Sequence, residues 1–157
     1  MPAFNHSLEN SITITKPLRY EALSYVWGDP SFKSPISMDK HYLKLRENPY
    51  SALMRLRYPN RARILWVDAI CINQNDVKQQ EQQIPFMAEI YGQAVNVVAW
   101  LGKVTDDSDE AFKAISLAKD TAYLHSLSND RITQGAILAL LQRPWFRRIW
   151  VSVNKII

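Results

Sequence analysis

Residues 64–70 read ILWVDAI, a short and nearly continuous apolar run with β-branched and aromatic side chains. Two other runs have the same character, YEALSYVW at residues 20–27 and VNVVAWL at residues 95–101. A continuous run, rather than an alternation of apolar and polar residues, is typical of a strand covered on both faces of a parallel sheet. These three runs therefore predict the strands of a parallel sheet.

Helical patterns lie between and after these strands. Asn75-Asp76 precedes one such pattern, and Pro85 inside it predicts a kink there or a helix that begins only at Gln83. Three other helices are predicted: Asn48 to Arg57 with Asn48 as its N-cap, Asp107 to Ala122 with Asp107 and Glu110 as a capping box, and Ile132 to Leu141 before Pro144.

A small hairpin is also predicted, from Ile36 to Leu45 with Asp39-Lys40 as its turn. Strands that alternate with helices predict an α/β fold, a three-layer sandwich with a mainly parallel sheet, helices on both faces and right-handed crossovers. No repeat, low-complexity tract or Gly/Ser linker marks a second domain.

Composition excludes several classes of protein. With 157 residues, 47% of them hydrophobic, and 22% charged, the chain has the composition of a folded domain rather than a disordered one. Its single cysteine excludes a disulfide framework and a cysteine-built zinc site, and its three histidines are scattered without ligand spacing. No apolar run is long enough to span a membrane, and the N-terminus lacks the features of a signal peptide, so we expect a cytoplasmic protein with no membrane partner.

Charge gives little support to a nucleic-acid partner. The balance of 19 − 15 = +4 is small for that purpose. Arginines in RLRYPNRAR at residues 55–63 have the charge to meet phosphates, but a solvated helix end and loop explains them as well. Likewise, Arg143, Arg147 and Arg148 beside Trp145 and Trp150 suit base stacking, while tryptophans at that density also close a core.

The carboxyl ends of the predicted strands are the expected place for a ligand, because loops and helix N-termini converge there in open parallel sheets. The three segments are Gly28-Asp29-Pro30, Asn73–Asp76 and Gly102–Asp107. Asp29 either faces a ligand or simply forms a Gly-Asp-Pro turn. Asn73 and Gln74 likewise have a local explanation, a strand-to-helix turn in which the amide bonds nearby backbone.

Asp68 interrupts an apolar run, and a charge in such a place needs a partner or a shifted pKa. It is therefore a candidate catalytic acid, as is Asp29, although a buried acid bonded to backbone is equally common. Cys71 directly continues this apolar run, and it is better explained as a small buried hydrophobe than as a nucleophile.

Taken together, YEALSYVWGD, LWVDAICINQ, VVAWLG and RPWFRRIWV resemble the fungal heterokaryon incompatibility domain, from about Tyr20 to Val151. The residues that carry the resemblance are Tyr25, Trp27, Gly28, Asp29, Trp66, Asp68, Cys71, Asn73, Gln74, Asp76, Tyr91, Trp100, Gly102, Arg143, Trp145, Arg148 and Trp150. The predicted organisation is an N-terminal extension over residues 1–19, the incompatibility domain over 20–151, and an atypical tail over 152–157.

The resemblance implies a cytoplasmic domain of filamentous fungi that acts in non-self recognition and programmed cell death. It also implies a distant similarity to Toll/interleukin-1 receptor domains, which are α/β sandwiches of flavodoxin-like type. Some members of that wider group assemble with other proteins, and others cleave NAD. The leading expectation is an interaction module with protein partners or self-association and no cofactor, and the alternative is an NAD glycohydrolase with NAD as substrate.

Two departures from the family pattern bear on that choice. Gln79-Gln80 stand where the family usually has Glu-Arg, and Ser152-Val153-Asn154 stand where a variable residue and Gln-Glu are expected. An asparagine cannot supply the negative charge that stabilises an oxocarbenium-like transition state, so we expect the chain to be impaired as an enzyme. Because Val-Ser can be encoded by GTRAGT, a common intron start, residues 152–157 are also explained as read-through of an unspliced intron.

Overall fold

The structure is a computed structural model that describes residues 18–38, 41–105, 108–118 and 130–148. The chain divides into two compact units, an N-terminal unit through Ala99 and a C-terminal unit from Trp100. The predicted domain limits, residues 20–151, stay a prediction.

The N-terminal unit contains the described strands, of which β5 ends one residue beyond it, at Trp100. Its elements in chain order are β1 (Glu21–Tyr25), β2 (Lys33–Met38), β3 (His41–Arg46), α1 (Glu47–Leu56), β4 (Leu65–Trp66), α2 (Asp68–Cys71), α3 (Val77–Gln83), a 3-10 turn (Ile84–Phe86), α4 (Met87–Gln93) and β5 (Asn96–Trp100). The C-terminal unit contains α5 (Ser108–Leu117), α6 (Arg131–Leu141) and a 3-10 turn (Pro144–Arg147).

Three strands form a small parallel sheet in the order β4-β1-β5. Glu21 and Ala22 of β1 are in register with Leu65 and Trp66 of β4. The fold is therefore mixed α/β with a parallel sheet, as predicted, on a smaller scale than a full three-layer sandwich.

Burial confirms the expected covering of β1 but not that of β5. Ala22 and Leu23 are neighbours that point to opposite faces of the sheet, and both are fully buried. In β5, by contrast, Val97 and Ala99 are exposed. The continuous apolar pattern thus predicted two covered faces correctly for the central strand only.

The second predicted strand is much shorter than expected. Only Leu65–Trp66 is strand, and the chain turns at Val67 into the one-turn helix α2. Amide N–H groups of Ile70 and Cys71 donate to the Val67 carbonyl at 2.9 and 2.8 Å. Asp68 therefore begins a helix and does not interrupt a strand, because an apolar run alone does not distinguish a strand from a buried helical turn.

The hairpin and most helix limits agree with the sequence. β2 and β3 pair antiparallel from Lys33↔Arg46 to Met38↔His41, and the turn residues Asp39-Lys40 lie outside the described residues. The 3-10 turn at Ile84–Phe86 divides α3 from α4, so the predicted break at Pro85 is confirmed. α6 ends at Leu141, before Pro144.

α1 differs from the prediction at its start. It begins at Glu47, and its N-cap residue is Arg46, which makes no side-chain cap. Asn48 lies inside the helix instead, where its amide donates to the Val26 carbonyl at 2.9 Å. Pro49 is tolerated because backbone N–H groups in the first turn have no intrahelical acceptor. For α5, which begins at Ser108, the predicted cap Asp107 and end Ala122 lie outside the described residues.

The C-terminal unit has its own small core. Ala111 of α5 packs with Ala136 and Leu140 of α6, and Leu101, Ile137 and Phe146 cover them. Small residues at the contact allow the two helices to approach closely, which leaves little apolar area to bury per residue.

Candidate functional site

Asp68 is the most enclosed acidic side chain among the predicted site residues. It is 8% exposed, and its Oδ1 atom accepts hydrogen bonds from the Tyr25 hydroxyl and from the Ala69 backbone N–H, the latter at 2.7 Å. Tyr25 is 1% exposed. A carboxylate that leaves water needs such donors, so the pair forms a structural link between the central strand and α2.

The surroundings of this pair shift the pKa of two nearby groups. Burial raises the pKa of the Tyr25 hydroxyl far above its ordinary value, and the negative charge of Asp68 raises it further. Burial also raises the pKa of the Cys71 thiol, and the charge of Asp68 adds to the rise, while a backbone hydrogen bond at Val67 opposes it. Cys71 is therefore protonated at neutral pH, which agrees with its interpretation as a small buried hydrophobe.

The loop after α2 is closed by side-chain amides. Gln74 Nε2 donates to the carbonyls of Asp68 and Ile72 at 2.9 and 3.0 Å. Asn73 accepts from the Asn75 N–H at 3.1 Å through its own Oδ1. Asn73 and Gln74 thus form the local turn predicted as the alternative to a ligand site.

Gln79 and Gln80, the two positions that depart from the family pattern, fasten the same loop. The Asn73 N–H donates to Gln79 Oε1 at 3.0 Å, and Gln80 Nε2 donates to the Gln74 carbonyl at 2.9 Å. Asp76 accepts from the Gln79 N–H at 3.1 Å, which confirms Asp76 as the N-cap of α3. These bonds need an acceptor at position 79 and a donor at position 80, which a glutamate and an arginine also supply, so the departure changes the charge of the pair and keeps the type of hydrogen bond.

A second group of residues surrounds the end of β1. The Arg46 guanidinium lies 5.1 Å from the Trp27 ring centroid and donates to the Gly28 carbonyl at 3.1 Å. Gly28 has φ +73°, and a Cβ there would lie 3.2 Å from the Asn48 amide nitrogen. A residue with a side chain would be strained at this turn for both reasons.

Asp29 follows on the exposed side of that turn. Its Oδ1 atom accepts from the Ser31 N–H at 2.8 Å and from the Ser31 hydroxyl at 2.6 Å. These bonds lower the pKa of the Asp29 carboxyl, with a smaller contribution from the charge of Arg46. Asp29 is thus ionised and locally hydrogen-bonded, the arrangement expected of an ordinary Asx turn.

Tyrosines attach α4 to the sheet. Tyr91 donates to the Leu23 carbonyl at 3.0 Å, and its ring meets Trp66 edge-on at 5.7 Å between centroids. Tyr20 donates to the Ile90 carbonyl at 2.6 Å. Both motif aromatics, Trp66 and Tyr91, therefore have packing roles.

In the C-terminal unit, Arg143 joins the segment after β5 to the start of α5. Its Nη1 donates to the carbonyls of Leu101 and Lys103 at 3.2 and 3.3 Å, and its Nη2 donates to the hydroxyls of Thr105 and Ser108 at 2.8 and 2.6 Å. Ser108 is 3% exposed. A guanidinium suits this position because its fork of donors can satisfy several acceptors at once.

The remaining motif residues of this unit have local surroundings. Gly102 adopts φ +106°, and the Trp145 ring meets Phe146 edge-on at 5.1 Å. The Arg148 N–H donates to the Trp145 carbonyl at 3.2 Å. The indole N–H of Trp100 is buried and has no hydrogen-bond partner among the described residues. Trp150 lies outside the described residues.

The structure thus brings the predicted residues together in separate groups. Asp68 meets Tyr25, and Trp27 and Gly28 meet Arg46, while Asp29 is occupied with its own turn. Sequence reasoning missed the contributions of Arg46 and Asn48. The Asn-Pro dipeptide was their only signal, and it indicated a helix cap instead.

The described residues contain neither a group of metal ligands nor a membrane-spanning helix. Within the ranges that the structure describes, no group of three or more His, Cys, Asp and Glu side chains is placed to hold a metal ion. None of the helices in the same ranges is long and apolar enough to cross a membrane.

Comparison with known proteins identifies the family. The family described as "Heterokaryon incompatibility protein (HET)" matches residues 20–153. The chain is also 29% identical over 184 aligned positions to heterokaryon incompatibility protein 6, OR allele, of Neurospora crassa, a match that covers 87% of this chain and 27% of that protein. The chain spans about a quarter of the length of this curated relative. No solved structure matches it. Because the family match covers most of its length, the chain belongs to the heterokaryon incompatibility family.

Proposed function

We propose that this chain acts as a protein-interaction module in fungal non-self recognition and programmed cell death signalling. Membership of the heterokaryon incompatibility family supports this role, as does similarity to a Neurospora crassa incompatibility protein. The proposed partners are other proteins, including further copies of the chain, and the proposed compartment is the cytoplasm.

The hydrogen bonding of Asp68 is the observation that carries the choice of a binding module over an enzyme. Its carboxylate accepts bonds from Tyr25 and Ala69 and is 8% exposed, so a substrate would have to displace structural donors to reach it. The other candidate acid, Asp29, is held by Ser31. A general acid or nucleophile must reach the reacting atom within hydrogen-bond distance, which the buried Asp68 is not arranged to do. Asp29 is exposed, but the bonds from Ser31 lower its pKa, so it lacks the proton that a general acid donates.

We further propose that the small sheet belongs to a flavodoxin-like sandwich of the Toll/interleukin-1 receptor type. In chain order, the strands of the parallel sheet are β1, β4 and β5, and their spatial order β4-β1-β5 reads 2-1-3. Flavodoxin-like sheets begin with this arrangement and continue it outward with further strands. The exposed Val97 and Ala99 of β5 fit a strand that such a continuation would cover.

A fungal expression experiment tests the function. The chain is expressed from an inducible promoter in hyphae, with death scored by a vital dye and NAD measured in the same extracts. We expect death that increases with expression while NAD stays constant until membranes fail. Folded protein that accumulates without causing death would contradict the proposed role.

A paired substitution distinguishes the module from an NAD glycohydrolase. Asp68→Asn keeps an oxygen acceptor for Tyr25 and Ala69 but removes the charge, and Glu81→Gln is the matched control at an exposed carboxylate. We expect neither the purified parent nor the variants to release nicotinamide from NAD, and both variants to retain cell killing. Release of nicotinamide by the parent that Asp68→Asn alone abolishes would favour the enzyme.

A further inference from the structure

Residues 51–64 carry an unusual charge distribution. They run from α1 to the start of β4 and include four arginines but no acidic residue. Arg55, Arg57 and Arg61 are exposed. We call these three residues, together with the neighbouring Met54, Tyr58 and Pro59, the arginine surface.

The fourth arginine of the stretch is already used inside the fold. Arg63 forms a two-pronged ion pair with Glu21 of β1 and also donates to the Leu56 carbonyl at 3.2 Å. This contact lowers the pKa of the Glu21 carboxyl. Among the residues that the structure describes, Arg63–Glu21 is the ion pair of this region. Arg61 adds a small charge effect on the Glu21 carboxyl, but it forms no ion pair with a described carboxylate, and neither do Arg55 and Arg57.

The arginine surface has exposed apolar and aromatic side chains as well as charge. A shallow depression of about 320 Å³ is lined by Met54, Arg57, Tyr58 and Pro59. Met54 and Tyr58 are 46% and 43% exposed, which is high for side chains of their size and apolar character. The Arg61 guanidinium lies 3.9 Å from the Tyr58 ring centroid, a cation–π contact that holds this charge at the edge of the depression.

Charge and shape together indicate the class of ligand. Guanidinium groups pair with carboxylates through two parallel hydrogen bonds, and the depression beside Arg57 has room for one apolar or aromatic side chain. A nucleic acid fits less well, because base binding uses free aromatic faces and two guanidiniums, of Arg61 and Arg63, already lie over Tyr58. The chain's net charge of +4 is also modest.

We propose that the arginine surface docks an extended acidic peptide segment of a partner protein, with one apolar side chain seated in the depression beside Tyr58. The proposal rests on the interaction role proposed above and adds the chemistry of the partner. Carboxylates of the segment would meet Arg55, Arg57 and Arg61, and the apolar contact would fix its register.

A binding assay with the full chain tests the proposal. The probe is a fluorescein-labelled synthetic peptide of alternating glutamate and serine around one central tyrosine, and its counterpart carries glutamine in place of glutamate. We expect the acidic peptide alone to bind, with affinity that falls as salt is raised. The variant R55Q/R57Q/R61Q should bind it about tenfold more weakly, since three exposed pairs are lost together.

Charge-matched controls separate a site from general attraction. K33Q/K44Q/K78Q removes the same net charge at three exposed lysines elsewhere in the N-terminal unit and should leave binding unchanged. Replacing the central tyrosine of the peptide by serine should also weaken binding. Equal losses in both triple variants, no binding by the acidic peptide, or tighter binding of oligothymidylate than of the peptide would each overturn the proposal. Cell killing by R55Q/R57Q/R61Q without peptide binding would leave the proposed function standing and remove only this partner.

Discussion

Replacing Tyr25 by phenylalanine isolates the contribution of one buried hydroxyl. The ring stays in place, so packing around a residue that is 1% exposed is unchanged, while Asp68 loses a donor. A hydrogen bond to a charged acceptor contributes about 1.5–3 kcal/mol, and we expect the free energy of unfolding at neutral pH to fall by that amount. Tyr42→Phe is the control, because Tyr42 is 80% exposed and its change should stay within about 0.5 kcal/mol.

The same variant predicts a change in alkaline stability. The pKa of Tyr25 is raised in the folded protein, so the stability linked to its proton is complete below its unfolded pKa, about 10, and is lost as pH rises above that value. The parent should lose about 1.4 kcal/mol per pH unit in this range from Tyr25 alone. Tyr25→Phe should lack this contribution to the slope.

Urea unfolding followed by tryptophan fluorescence measures both effects, at neutral pH and at several alkaline values. The dependence on urea should have the same slope in parent and variant at neutral pH, which shows that the same surface is exposed on unfolding. A loss below about 0.5 kcal/mol at neutral pH, or an alkaline slope identical to that of the parent, would refute the structural role given to the Tyr25–Asp68 link.

Three further predictions concern other parts of the chain. Arg143→Lys should loosen the segment from Leu101 to Ser108, because an ammonium cannot satisfy the four acceptors that the guanidinium bonds there. Trypsin should therefore cleave after Lys103 faster in the variant than in the parent. Gly28→Ala should lower the free energy of unfolding by about 1–2 kcal/mol, because φ is +73° at this residue. Gly92→Ala is the control: this glycine lies in helix α4 and a Cβ there meets no atom within 4 Å, so the free energy of unfolding should rise by about 0.5–1 kcal/mol. Iodoacetamide at neutral pH should alkylate the Cys71 thiol slowly in the folded protein and rapidly in the unfolded protein, because burial raises the pKa of this thiol in the fold. Equal alkylation rates in the two states would contradict this prediction.

Local signals in the sequence predicted the limits of most elements. Asp76 caps α3, Pro85 marks the break between α3 and α4, and Pro144 follows the end of α6, as their backbone chemistry requires. Each of these effects acts within one helical turn, so the residues nearby in the sequence contain the necessary information.

The contacts that could not be predicted from the sequence are hydrogen bonds between residues far apart in the chain. Asn48 has the chemistry of a cap, but its amide bonds the carbonyl of Val26, 22 residues earlier. Arg143 was identified as a motif residue and as a residue suited to base stacking, and its bonding role was missed because its acceptors lie about 40 positions upstream. For Asp68, the apolar residues around it suit a strand and a buried helical turn equally. One of its two donors, Tyr25, lies 43 positions earlier in the chain.

The position of β1 between β4 and β5 also affects how the protein is made. A ribosome releases β1 first, yet β4 begins at Leu65 and β5 at Asn96, so the central strand must wait for both of its neighbours. During that interval Ala22 and Leu23, fully buried in the finished fold, remain without cover. An unpaired apolar strand is a template for pairing with other chains. Nascent chains of this protein on one polysome should therefore depend on chaperones until translation has passed Trp100.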